Sequence, residues 1–199
     1  MGQRLWPVEL SGRLADGSSI GLRPLRRSDK DAFFALRQHN RDWLRPWEPT
    51  NPDGSSRRVS FARMLRTQRE QGRAGRVLAF GITVDGSLAG QLNVSNIELG
   101  AFRSCTMGYW VGEAYAGRGV TPTAVALAGD YVLRAGNLHR IEINIRPENL
   151  ASLAVVRKLG FRAEGLRPNY LHIDGDWRDH LSFAVTSEDL GPRGLIGRL

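Results

Sequence analysis

Two short segments carry residue types at spacings suited to chemistry. In the first, Met107-Gly108-Tyr109-Trp110-Val111 is followed by Ala116-Gly117-Arg118-Gly119-Val120-Thr121. A strand that runs into a glycine-rich turn and then a helix makes an anion site. Backbone N–H groups point outward at the turn, and the helix dipole adds partial positive charge. Glycine suits this turn because a side chain would keep a pyrophosphate away from the backbone. Pro122 falls in the first helical turn, where a missing N–H costs little. A lone Gly-x-Gly is equally the mark of an ordinary turn.

The second segment is Arg146-Pro147-Glu148-Asn149-Leu150-Ala151-Ser152, continuing to Arg157-Lys158-Leu159-Gly160-Phe161. Local physics explains it as a well-made helix. Asn149 is a good N-cap, and Ser152 is where a cap accepts its N–H. Gly160 is a natural left-handed residue after the last turn, and Phe161 can make the apolar contact that follows. Elsewhere, Trp43 and Trp47 suit either core or ligand contact. Glu48, Glu98 and Glu113 read as solvated carboxylates, any of which could hold an ammonium or relay its proton through water. His39, His139, His172 and His180 show no zinc spacing, so no metal site is expected. Cys105 reads as an inert, half-buried strand residue.

The elements that position these residues belong to a chain of 199 residues with 41% hydrophobic and 24% charged residues, ordinary for a globular protein. No apolar run reaches the roughly 18 residues of a membrane span, and Met1 to Leu10 lacks the apolar stretch of a secretory signal. One cysteine cannot form an internal disulfide, which is compatible with a cytoplasmic protein. The net charge is +8, and of the 28 basic residues only Lys30 and Lys158 are lysines. The arginine excess reads either as a codon bias or as affinity for a polyanion, since arginine grips phosphate and carboxylate with a planar fork and suits a phosphorylated ligand or an RNA-rich setting. Because the arginines are scattered, a dedicated nucleic-acid arm is not expected.

The hydrophobic pattern predicts a strand over Ser19 to Pro24. A helix capped by Ser28 or Asp29 should run to about Trp43, ended by Arg45-Pro46-Trp47-Glu48-Pro49. Asn51 to Ser56 reads as a loop and Arg57 to Gln71 as a polar helix. Val77 to Val84 and Ser87 to Ile97 form a hairpin about Asp85-Gly86, and Ser104 to Val111 is a further strand. Gly117-Arg118-Gly119 opens a helix to about Ala135, stopped by Gly136-Asn137. A strand over Leu138 to Ile145, a helix over Asn149 to Leu159, and strands over Phe161 to Ile173 and Trp177 to Val185 follow. The prediction is an α+β domain occupying the whole chain, with its core at about 20–186 and a short tail at 187–199.

The two segments occur in order, about thirty residues apart, with a strand ending at Ile145 between them. Together they resemble the GNAT superfamily of N-acetyltransferases, over about Ile20 to Thr186 and most tightly from Gly108 to Gly165. Within it, Trp43-x-x-x-Trp47-Glu48-Pro49, Asn149-x-x-Ser152 and Trp177-Arg178-Asp179-His180 look like the RimJ/RimL group, which acetylates the α-amino ends of ribosomal proteins. The resemblance implies a mixed, mostly antiparallel twisted sheet of about seven strands flanked by about four helices. It implies acetyl-CoA as co-substrate, held by Trp110, Val111, Gly117, Arg118, Gly119, Val120, Thr121, Asn149 and Ser152. The Trp43 to Pro49 segment is apolar, proline-fixed and followed by a turn-rich loop of the kind that forms lids, so Trp43, Trp47 and Glu48 are expected on the acceptor side. The chain departs from common GNAT patterns at three positions. Ala114 stands where Gln or Arg is usual, Val156 where some members use an acidic Tyr, and Asn144 where some relatives carry a Glu. Ser152 is then the hydroxyl left at the junction.

Amine attack on a thioester builds charge on the carbonyl oxygen and expels a thiolate. A strand N–H at Trp110 or Val111 can stabilise the oxyanion, because a fixed dipole needs no reorganisation. The leaving thiol has a pKa of about 8.5, so Ser152 need only donate a hydrogen bond or relay a proton. An α-amine with a pKa of about 8 is partly neutral at pH 7, whereas a lysine near 10.4 needs a stronger base. The expected acceptor is therefore a protein N-terminus, and the RimJ/RimL resemblance implies a ribosomal protein; a monomer or homodimer is expected. The rival readings are acetyl transfer to a small amine such as an aminoglycoside or polyamine, and a non-catalytic acyl-CoA-binding module. A strongly acidic pocket would favour the small amine.

Overall fold

A computed structural model describes residues 5–55 and 59–199. Strands β1 (Leu10–Arg13), β2 (Ser19–Pro24), β3 (Leu78–Val84), β4 (Ser87–Glu98), β5 (Ser104–Val111), β6 (Arg140–Ile145), β7 (Arg162–Ile173) and β8 (Asp176–Thr186) form one sheet. Its order is β1-β2-β3-β4-β5-β6-β8-β7, so the last hairpin folds back with β8 inside. Neighbours are antiparallel except β5 and β6, which run parallel. The sheet has one strand beyond the seven expected. β1 escaped prediction because it is four residues long, includes Gly12, and shows too short an alternation to stand out.

The hairpin turns follow their sequences. Asp85 and Gly86 both take positive φ, as do Asp174 and Gly175, which is the pairing that type I′ turns require. β3 is buried along its length, so its residues divide between two cores. Phe80 and Ile82 join the larger core with α4 (Val120–Asp130) and α5 (Leu150–Lys158). Gly81 faces Leu25 and Leu88 of a smaller core under α1 (Lys30–His39) and α3 (Phe61–Arg73). A Cβ at Gly81 would stand 2.7 Å from the Leu25 side chain. α4 continues through a wider π turn, Tyr131–Ala135, into Gly136 and the positive-φ Asn137.

Two helix boundaries differ from expectation. The helix expected to reach Trp43 stops at His39, and α2 (Arg41–Leu44) forms a separate turn. The break is at Asn40, whose buried side chain donates to the Leu36 carbonyl and accepts the Glu113 N–H at 2.7 Å. That tertiary hydrogen bond fixes Asn40 outside helical geometry. α3 begins at Phe61 because Ser60 caps it, accepting the Arg63 N–H. The residues at 57 and 58 expected in that helix, and Ser56 of the expected loop, lie outside the described residues.

The C-terminal segment is woven into the same body. Leu195 is buried in the larger core. Asp130, at the end of α4, accepts the N–H groups of Leu195 and Ile196. Arg198 donates to the Leu159 carbonyl just beyond α5.

Candidate active site

β5 and β6 pair for only three residues, from Ser104↔Arg140 to Thr106↔Glu142. Beyond that the strands part, and a cleft of about 800 Å³ opens, within the usual range for small-molecule sites. Its walls are the end of β5 from Gly108 to Val111, the starts of α4 and α5, and the Trp43 to Pro49 segment.

The glycine turn is built for backbone contact. Gly117 and Gly119 both have positive φ, and a Cβ added at either would meet nothing. The glycines are thus required by conformation, and their bare faces open onto the cleft rather than onto packed atoms. No side chain caps α4 at Gly119. By helix geometry the Val120 and Thr121 N–H groups have no partner inside the helix, and Pro122 has no N–H to leave unpaired. All three residues line the cleft. A phosphate or pyrophosphate fits this cradle on its geometry and its dipole. Arg118 is placed differently from its neighbours. Its guanidinium pairs with Asp16 at 3.0 Å, lies over Tyr115, and is outside the cleft lining. Ser18 and Arg118 together hold the exposed Asp16 carboxyl down to about 2.

At the opposite wall, Asn149 caps α5 as its sequence foretold, accepting the Ser152 N–H at 3.0 Å. The helix ends in a full Schellman closure: the Phe161 N–H reaches the Val156 carbonyl, and the Gly160 N–H reaches Arg157. Asn149 and Ser152 both face the cleft. Val156 is buried and offers no polar atom.

The third wall rests on side chains far apart in sequence. The Trp43 indole N–H donates to the Val111 carbonyl at 3.1 Å, pinning α2 to the end of β5. Arg146 donates to the Pro46 carbonyl and lies over the Trp47 ring at 5.5 Å. Pro49 bridges to Ile173 near the tip of the β7–β8 hairpin. Glu48 is held by both guanidinium nitrogens of Arg37, which also lies over Trp110 at 5.3 Å. Glu48 is therefore a paired carboxylate, while Glu98 and Glu113 are exposed and outside the lining.

Sequence reasoning missed Arg37, because its partner lies beyond a proline-bent segment. It also missed Tyr109, which reads as an ordinary strand aromatic. On β6, Asn144 donates to Glu142, which is paired in turn with Arg140 and Arg167. Burial opposes the charge on Glu142, but these partners hold its carboxyl below the ordinary range. Burial lowers His180, and its Nδ1 meets the Arg178 carbonyl, so it is a strand-stabilising imidazole. Cys105 is buried rather than half-buried, and desolvation pushes its thiol up to about 12. Among the described residues, no three His, Cys, Asp or Glu side chains gather as a metal would require. No described helix is long and apolar enough to cross a membrane.

Comparison with known proteins agrees with this geometry. Residues 19–162 match the acetyltransferase (GNAT) domain family. The [ribosomal protein uS5]-alanine N-acetyltransferase of Escherichia coli (strain K12) is 34% identical over 168 residues, covering 82% of this chain and 87% of that protein. The structure of Mycobacterium smegmatis RimJ in complex with CoA-disulfide superposes with a TM-score of 0.91 at 40% identity, covering 98% of this chain and 94% of that one. The ribosomal-protein-S5-alanine acetyltransferase of Vibrio fischeri gives a TM-score of 0.78 at 28% identity, covering 92% and 99%.

Proposed function

Since the chain belongs to the GNAT family and is an acetyl-CoA-dependent N-acetyltransferase, we propose that its acceptor is the α-amino group of a protein N-terminus, with a ribosomal protein as the leading case. One observation carries this reading. Among the described residues lining the cleft, Glu48 is the one carboxylate, and Arg37 already neutralises it. A polyamine or aminoglycoside carries several positive charges and needs an acidic wall. A single α-amine, partly neutral at pH 7, needs neither acidic wall nor strong base. The indoles of Trp43 and Trp47 supply apolar surface for the first residues of a peptide. The names of the relatives above support the ribosomal version, which implies work in the cytoplasm.

On this reading the parts divide the labour. Backbone N–H groups from Gly117 to Thr121 hold the pyrophosphate, with Asn149 fixing the α5 start beside the thioester arm. The Val111 N–H, on the edge of β5 turned away from β4, meets the developing oxyanion, whereas the ladder directs the Trp110 N–H toward β4. The Ser152 hydroxyl donates a hydrogen bond to the departing sulfur as thiolate charge builds on it. Water takes the proton of the amine.

The test is thiol release from acetyl-CoA against a panel of amines. Short peptides with free N-terminal alanine or serine should be turned over well above background, and the same peptides N-formylated should not. Faster turnover of spermidine or an aminoglycoside would overturn the acceptor assignment while leaving the acetyltransferase intact.

A further inference from the structure

Tyr109 occupies the β5 wall of the cleft, on the strand face opposite to Trp110. Along β5 the buried residues Met107 and Val111 share its parity, and its ring packs against the larger core. A phenylalanine would serve that packing equally well. Yet the hydroxyl is buried and has no hydrogen-bond partner among the described residues. An orphaned buried hydroxyl is costly, and native structures keep few of them. Ser152 lines the same cleft from the start of α5. Burial raises the phenol well above its ordinary pKa, and Ser152 is the side chain that acts against this.

We infer that Tyr109 is a positioning residue for Ser152: its O–H donates to the Ser152 oxygen when acetyl-CoA fills the cleft, turning the Ser152 proton toward the departing sulfur. A hydroxyl has two acceptor lone pairs and one proton, and it rotates to suit its partners. Alone, Ser152 can turn that proton toward water or a backbone carbonyl. With its oxygen occupied by the phenol, the proton is left for the cleft. The phenol stays neutral throughout, so no proton passes through it. Tyr109 thus meets the need left by Val156, from β5 rather than α5 and through an intermediary. The inference rests on the role of Ser152 given above and is indifferent to which amine is acetylated.

The experiment is a double-mutant cycle of Tyr109→Phe and Ser152→Ala, using the amine that the parent enzyme acetylates fastest. Tyr109→Phe should lower kcat by about tenfold with both KM values unchanged and no loss of melting temperature. In the Ser152→Ala background it should change kcat by less than about twofold. With an acetyl thioester of a more acidic thiol, the kcat deficit of Tyr109→Phe should shrink, because the departing sulfur then needs less help. A merely structural tyrosine would move the melting temperature and leave the leaving-group dependence alone. Unchanged kcat in Tyr109→Phe, or the same loss in both backgrounds, overturns the inference while leaving Ser152 in place. Unchanged kcat in Ser152→Ala removes both residues from the mechanism. Should Tyr109→Phe prove unstable, the leaving-group comparison at a temperature where it is folded decides the matter.

Discussion

The two sides of the cleft are made of different material. The proposed donor side, where α4 and α5 begin, is shaped by backbone conformation: positive-φ glycines, an Asn cap and a Schellman closure, each set within a few residues of its own position. The proposed acceptor side, from Arg37 to Pro49, is held by contacts reaching across the fold to Val111, Arg146 and Ile173. A wall set by backbone has few ways to vary and suits a ligand that never changes. A wall set by exchangeable side-chain contacts can be retuned, and can shift when an acceptor arrives.

Perturbing each side should therefore have separable effects. The largest is expected at Gly119→Asp, which should weaken acetyl-CoA binding by roughly a hundredfold or more, through negative charge against phosphate. Asp tolerates left-handed φ better than most residues, so the variant should fold. Gly119→Asn serves as the neutral control, and calorimetry reads both. Unchanged affinity would break the donor-side account.

Next in size, Ser152→Ala should lower kcat by roughly ten- to a thousandfold, with acetyl-CoA affinity nearly unchanged. Its melting temperature should hold, since the cap acceptor is the Asn149 side chain. Loss of stability with kcat intact would make Ser152 structural. On the other wall, Trp47→Ala should raise the acceptor KM about five- to twentyfold while leaving the acetyl-CoA Kd alone. Equal effects on both substrates would show that the walls are not independent.

The smallest effect is a pH dependence anchored at α1. Arg23 grips Asp29 with two nitrogens, and that hydrogen bonding, aided by the Arg26 N–H, holds the carboxyl below its ordinary range despite burial. A depressed carboxyl stabilises the fold above its unfolded pKa, about 3.9, and this contribution is lost as pH falls through the folded value. The melting temperature should drop on acidification below about pH 4, and Asp29→Asn should flatten that part of the profile while lowering the melting temperature at neutral pH. An unaltered profile would detach α1 from this ion pair.

The same division governs what could be read from the chain. The turn and cap geometry at the starts of α4 and α5 was legible because glycine, asparagine and proline punctuate it locally: Gly117, Gly119, Asn149 and Gly160 each act within a turn of their own position. Seven strands were legible from apolar runs and turn residues, whereas β1 was too short to show a period. The break at Asn40 depends on the Glu113 N–H, which no local window contains. The pairing of Arg37 with Glu48, and the presence of Tyr109 and Ser152 on one cleft, depend on how strands and helices face one another. Periodicity gives the parity of a strand but not what stands opposite it.

The single cysteine has a practical consequence. Cys105 sits in the middle of the three-residue register that joins β5 to β6, opposite Ile141. With its thiol buried and its acidity suppressed, it should be silent toward alkylating reagents in the closed protein. Each labelling event must then follow an excursion that unzips the root of the cleft. The chain carries its own clock for that opening, and the clock should slow when the cleft is filled.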